Sequence, residues 1–370
     1  MTALAACGGG GSDQRILPGA PVSTIGNSVT PASAKHVYVA YGGFIGVYAL
    51  PLKTGSAPIA RIPYSGIPAT LAVDGAGDIA FAGASAPSGI TIIQNALSGS
   101  PSSMNIAPSS ATIPVDDPIV GLTFDAAGDL WAMALGPTNS TFNGNPAGTP
   151  FVVELKAPLS AASTTALQVS AGMTFVPEPL GVPPASIAFD QSGNLNVLVG
   201  NPTYGTVIYQ YAPPYTALAP NTIPLSSAIA VPANPIPIDA TGGTYLSRSA
   251  SGGVATTALQ VLYYAGPLVP PSTSLGSNVA GGVGTPATPA LQFTATSFSV
   301  SSRAIAVNGI AEDASGDLIL GLSDGTLSFF SAPLSTSSSA SATVACPLGA
   351  VSGTCDAQFT HGIGALALGP

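Results

Sequence analysis

The sequence predicts an all-β chain folded as a six-bladed β-propeller, and three observations predict it. Gly and Pro are abundant, at 44 and 36 of 370 residues, and they punctuate many short apolar runs. A D-x-x-G-[DN] corner recurs along the chain between such runs. The two ends of the chain read as the missing halves of one further repeat. With 46% hydrophobic and only 6% charged residues, the chain can form a core and does not read as disordered.

Five segments align without gaps: LAVDGAGDIAF ending at Phe81, LTFDAAGDLWA from Leu122, IAFDQSGNLNV from Ile187, IPIDATGGTYL from Ile236, and IAEDASGDLIL from Ile310. Each is a strand, an Asp, two residues that are small save Gln191, a Gly, an Asp, Asn or Gly, and a second strand. The Asp positions are Asp74, Asp125, Asp190, Asp239 and Asp313, and these read as structural turn residues. An Asp opening a turn accepts backbone N–H bonds from the residues that follow. A Gly supplies the positive φ that closes it.

A third strand follows each hairpin, at Ile90–Gln94, Phe151–Leu155, Thr206–Tyr211, Thr257–Tyr264 and Thr326–Phe330. Looser apolar stretches after several of them, such as Leu167–Ser170 and Leu291–Thr294, supply a fourth. Four-stranded units repeated around an axis are propeller blades. At the N-terminal side, His36–Leu50 reads as the second and third strands of a blade, with Ser56–Ile62 as the outer strand. At the C-terminal side, Gly362–Gly369 reads as the missing first strand. Joining head to tail in one blade removes an exposed sheet edge. Residues 1–35 then form a tether and 36–370 the propeller.

These repeats resemble those of the NHL and gluconolactonase-like six-bladed propellers, and the His36 segment resembles the YVTN-type repeat. The gluconolactonase-like resemblance implies a divalent cation on the central axis, held by a Glu, an Asn and an Asp from inner strands. Asp117, Asn234 and Asn308, with Asp116 and His361, stand at the starts of inner strands and are the candidate metal ligands; loop residues that cap the strand entries and hydrate the channel are the preferred reading of the same positions. The Glu departs from that pattern: Glu312 precedes Asp313 at the far end of its strand, and Glu154 and Glu178 lie outside the first strands.

Leu4-Ala5-Ala6-Cys7, followed by Gly8–Gly11, resembles a bacterial lipobox with a flexible spacer. Cys7 is then the lipidation site, and the charged and apolar leader regions are expected upstream of Met1. This implies a bacterial cell-envelope location, periplasmic or cell-surface, with the membrane met only through the lipid. Setting Cys7 aside leaves Cys346 and Cys355, an even number that favours a disulfide in an exported protein. Two separate buried thiols are the alternative.

Other chemistries find little footing. Net charge is −9 and the seven Lys and Arg form no basic stripe, which excludes nucleic-acid backbone binding. No run reaches the ~18 apolar residues of a membrane span. Gly321-Leu322-Ser323-Asp324-Gly325 matches G-x-S-x-G, but between two β runs Asp-Gly is an ordinary hairpin turn. The sole Trp, Trp131, follows a corner and reads as packing between blades. The resulting expectation is a monomeric, non-enzymatic module without cofactor that binds or scaffolds an envelope protein or glycan. A metal-dependent lactonase with its site at the channel mouth is the alternative.

Overall fold

A computed structural model describes residues 34–64, 68–83, 89–98, 100–109, 119–134, 150–169, 185–201, 205–215, 220–226, 238–239, 241–249, 259–269, 287–295, 307–322, 325–345 and 363–370. The described residues contain strands and no helix.

The chain starts with β1 (His36–Tyr41), β2 (Phe44–Ala49) and β3 (Ala60–Pro63). The second blade is β4 (Pro68–Val73), β5 (Ile79–Gly83), β6 (Ile90–Gln94) and β7 (Ser102–Ile106). The third is β8 (Ile119–Phe124), β9 (Leu130–Ala134), β10 (Phe151–Leu155) and β11 (Thr165–Val169). The fourth is β12 (Ala185–Phe189), β13 (Leu195–Asn201), β14 (Gly205–Tyr211) and β15 (Asn221–Ser226). The fifth holds β16 (Thr244–Ser249), β17 (Leu259–Tyr264) and β18 (Leu291–Ala295). The sixth is β19 (Val307–Glu312), β20 (Leu318–Leu322), β21 (Leu327–Phe330) and β22 (Ala342–Val344). The last strand, β23 (Ala365–Gly369), pairs antiparallel with β1, from His36 opposite Gly369 to Ala40 opposite Ala365. Head and tail thus share one composite blade, ordered β23-β1-β2-β3, and the protein is a six-bladed propeller.

One blade departs from the four-strand expectation. In the fifth, the first strand is reduced among the described residues to a single bridge between Ile238 and Thr244. The sequence just before Ile238 carries Pro235 and Pro237, which offer no N–H to a ladder.

The core is six seams rather than one centre. Each buried cluster joins two neighbouring blades, such as Ala80, Ile92 and Phe124 between the second and third, or Trp131, Phe189 and Tyr211 between the third and fourth. The same holds around the ring through Leu198 and Leu262, Phe293 and Phe330, Tyr48 and Phe329, and Tyr38 and Phe81. Because both faces of a blade are covered, some middle strands run apolar from end to end instead of alternating. β9 (LWAMA) and β20 (LILGL) are buried throughout. Outer strands such as β7 have one wet side and keep more polar residues. Near the axis the strands approach so closely that a Cβ on Gly364 would fall 2.2 Å from the Pro68 carbonyl oxygen, so only Gly fits.

Every Asp corner has one geometry. At Asp190, Oδ1 accepts from the Ser192 and Asn194 N–H groups at 2.9 Å each, and Gly193 adopts φ 76°. Asp190 Oδ2 also accepts from the Asn194 and Gln210 side chains, whereas Asp74 accepts only at Oδ1, from Ala76 and Asp78. Asp190→Ala is therefore expected to cost roughly 3 kcal/mol and Asp74→Ala about half that. Urea denaturation of the two variants checks the order, and equal losses would contradict it.

Candidate functional site

The corners lie at one end of the strands, on what is here called the corner face. All five Asp residues use Oδ1 alike: Asp125 accepts from Ala127 and Asp129, Asp239 from Thr241 and Gly243, and Asp313 from Ser315 and Asp317. The corner glycines 77, 128, 193, 242 and 316 all have φ between 76° and 87°. The residue after the Gly works one strand further on. Asp78, Asp129 and Asp317 each accept at Oδ1 from the N–H of Asn95, Ala157 and Ala332, at 2.7–2.8 Å, and so tie the first corner to the turn after the third strand.

Oδ2 separates the blades into two kinds. In the third, fourth and fifth, the cross-strand pair six residues after the Asp is polar or aromatic: Trp131 with Glu154, Asn196 with Gln210, Tyr245 with Tyr263. One member of each reaches back to Oδ2, as Trp131 Nε1 does to Asp125 at 3.0 Å, Gln210 Nε2 to Asp190 at 3.2 Å, and Tyr263 OH to Asp239. Burial, then the bond to Asp239, pushes the Tyr263 hydroxyl up to about 12. In the second and sixth blades the equivalent pairs are Ala80 with Ile92 and Ile319 with Phe329. There burial lifts the Asp74 and Asp313 carboxyls above the ordinary carboxylate range, against the N–H bonds that favour their charge.

The third blade carries the densest charge. Asp125, Asp129 and Glu154 each bring a carboxylate oxygen within 4.8 Å of the others. Lys156 Nζ binds Asp129 at 2.8 Å and Glu154 at 2.6 Å. Those bonds, Asp129 first, raise the Lys156 ammonium well above its ordinary value. The lysine thus supplies the positive charge that a metal would, and the cluster works as a staple. Beside it Trp131 is fully buried, edge-on to Phe189 at 5.4 Å and Tyr215 at 5.0 Å, so its ring face is closed to a sugar.

Of the candidate metal ligands, Asn308 lies within the described residues. Its amide Nδ2 donates to the Ile363 carbonyl at 2.8 Å and joins the sixth blade to the start of the closing strand. Asp117, Asn234, Asp116, His361, Cys7, Cys346 and Cys355 lie outside the described residues. His36 contacts the Pro370 carbonyl oxygen through Nδ1. The G-x-S-x-G run bridges β20 and β21, which pair antiparallel with Gly325 at φ 85°. A nucleophile elbow needs a helix there.

A second corner repeat escaped the sequence reading. After the third strand, the peptide bonds before Pro51, Pro158, Pro214, Pro267 and Pro333 are cis, and Asn95 at φ 53° holds that place in the second blade. The signal was present as LPL, APL, PPY, GPL and APL. Three of these turns add a reciprocal serine cap, as where Ser163 N–H donates to the Ser160 carbonyl and Ser160 N–H donates to Ser163 Oγ.

No family model matches the chain, and no curated protein matches it. Among solved structures it is similar to a protein of unknown function from Bacteroides caccae, at 14% identity and TM-score 0.46, over 90% of this chain and 98% of that one. It is also similar to the periplasmic gluconolactonase of Pseudomonas aeruginosa, at 15% identity and TM-score 0.49, over 85% and 83%. The six-bladed architecture itself rests on the strand pairing described above.

Lys156→Met leaves the Asp129 and Glu154 side chains, each 8% exposed, without their cation. With Lys156 itself largely in solvent, the expected loss is about 2 kcal/mol at pH 7. The loss should shrink in about 1 M salt, where the attraction between the ammonium and the two carboxylates is screened. Denaturation at low and high salt measures this, and an equal loss at both would show that only packing was removed.

Proposed function

We propose that the chain is a lipid-anchored module of the bacterial cell envelope that binds an envelope protein or glycan through the face opposite its corners. The division between its two faces carries this reading. Ala34 and Pro370 flank the paired strands β1 and β23 on the corner face, beside short, internally bonded turns. Seven of the longer connections, 110–118, 135–149, 170–184, 227–237, 250–258, 296–306 and 346–362, join strand ends away from the corners, against one, 270–286, that joins strand ends on the corner side. A lipid at Cys7 would turn the corner face toward the membrane and most of the longer connections outward, where binding loops belong. The corner carboxylates support a scaffold role, because their own turns and strands already use them.

Two measurements test the reading. In a bacterial host supplying an export leader, the chain should incorporate labelled palmitate, and Cys7→Ser should abolish incorporation and move it to the soluble fraction. Labelling that survives Cys7→Ser refutes the anchor. The purified chain should bind isolated envelope material saturably and equally well with a chelator present. Retention of calcium or magnesium through dialysis, together with lactone hydrolysis, would overturn the binding role in favour of a lactonase at the channel mouth.

A further inference from the structure

The residue just before each corner Asp faces the preceding blade. Val73, Phe124, Phe189 and Ile238 fill that place with buried apolar side chains, as Phe189 does against Trp131 of the third blade. In the sixth blade the same place holds Glu312. Its Oε1 accepts from the Tyr245 hydroxyl of β16, across the seam to the fifth blade, at 3.1 Å. The Tyr245 and Tyr263 rings lie 4.7 Å apart, and Tyr263, on β17, donates to Asp239, which is 8% exposed. Thus Asp239 of the fifth blade and Glu312 and Asp313 of the sixth gather at one end of this seam, with two tyrosine hydroxyls between them. The fifth blade is also the one whose first strand is a single bridge among the described residues.

We propose that Glu312 makes this seam the proton-sensitive joint of the ring. With its carboxyl protonated, the fifth and sixth blades close on each other. With it ionised, charge repulsion parts their corner ends. Burial, then the negative charge of Asp239, pushes the Glu312 carboxyl up to about 7, against the opposing effect of the Tyr245 bond; Asp313 adds to the rise. A carboxyl that holds its proton more tightly in the closed seam than in the open one favours closure at low pH. That advantage is complete below the ordinary value of 4.5 and is lost as pH rises through about 7. Between those limits the opening equilibrium should grow roughly tenfold per pH unit.

Hydrogen–deuterium exchange of the full chain from pH 5 to 8, corrected for intrinsic rates, tests this. Protection of β16 and β19 should fall relative to β8 and β9 across that range. Glu312→Gln should make the ratio independent of pH. Tyr245→Phe removes a bond that favours the charged carboxylate and should move the midpoint upward. A constant ratio in the unmodified chain, or an unchanged response in folded Glu312→Gln, overturns the proposal. If Glu312→Gln does not fold, an unmoved midpoint in Tyr245→Phe overturns it instead.

Discussion

A hairpin corner leaves backbone N–H groups that its two strands cannot pair, one at the exposed tip of the turn and one at the entry to the second strand. A single Asp oxygen solves this at five corners by accepting two N–H bonds from its own turn, at 2.7–3.0 Å. The second donor is buried at Asp129 and Gly243 and half-buried at Asp78, Asn194 and Asp317; a buried N–H left unsatisfied costs about 1–3 kcal/mol, so the inner end of the corner depends on the carboxylate. The corner fixes where the first two strands turn and hence their register. Register then decides which side chains line each seam, and the six seams are the whole core.

The second oxygen is where the blades diverge. In the third, fourth and fifth, it recruits Trp131, Gln210 and Tyr263, and polar chemistry spreads from the corner into the seam. In the second and sixth, the equivalent pairs are apolar and supply no such donor. The polar layer thus belongs to three consecutive blades, where each of these bonds ties the corner to a middle strand of its own blade.

Much of this was legible in the sequence. The Asp and Gly spacings mark the corners because turn chemistry is local and depends on few residues. The middle strands stand out because both faces are buried. The closing strand could be inferred because an incomplete head and an incomplete tail complement each other. The Trp131–Glu154 and Tyr245–Tyr263 partnerships were not legible, since a cross-strand pair appears only once register is fixed. The pairing of Lys156 with two carboxylates likewise depends on Asp129 arriving from another strand. The cis-proline corners were passed over because Ala-Pro-Leu in a Pro-rich chain looks like ordinary punctuation. The channel mouth depends on Asp117 and Asn234, which lie outside the described residues.

The composite blade has a further consequence. Lys35 N–H donates to the Gly369 carbonyl at 3.0 Å, so head and tail meet at a position equivalent to the other five corners. Covalent continuity is thus interrupted at one corner out of six, and the fold is a circle with a single nick. A chain that joins Pro370 to Ala34 by a short linker and opens at another corner would keep the same strand pairs, much as a clasp can be moved along a bracelet.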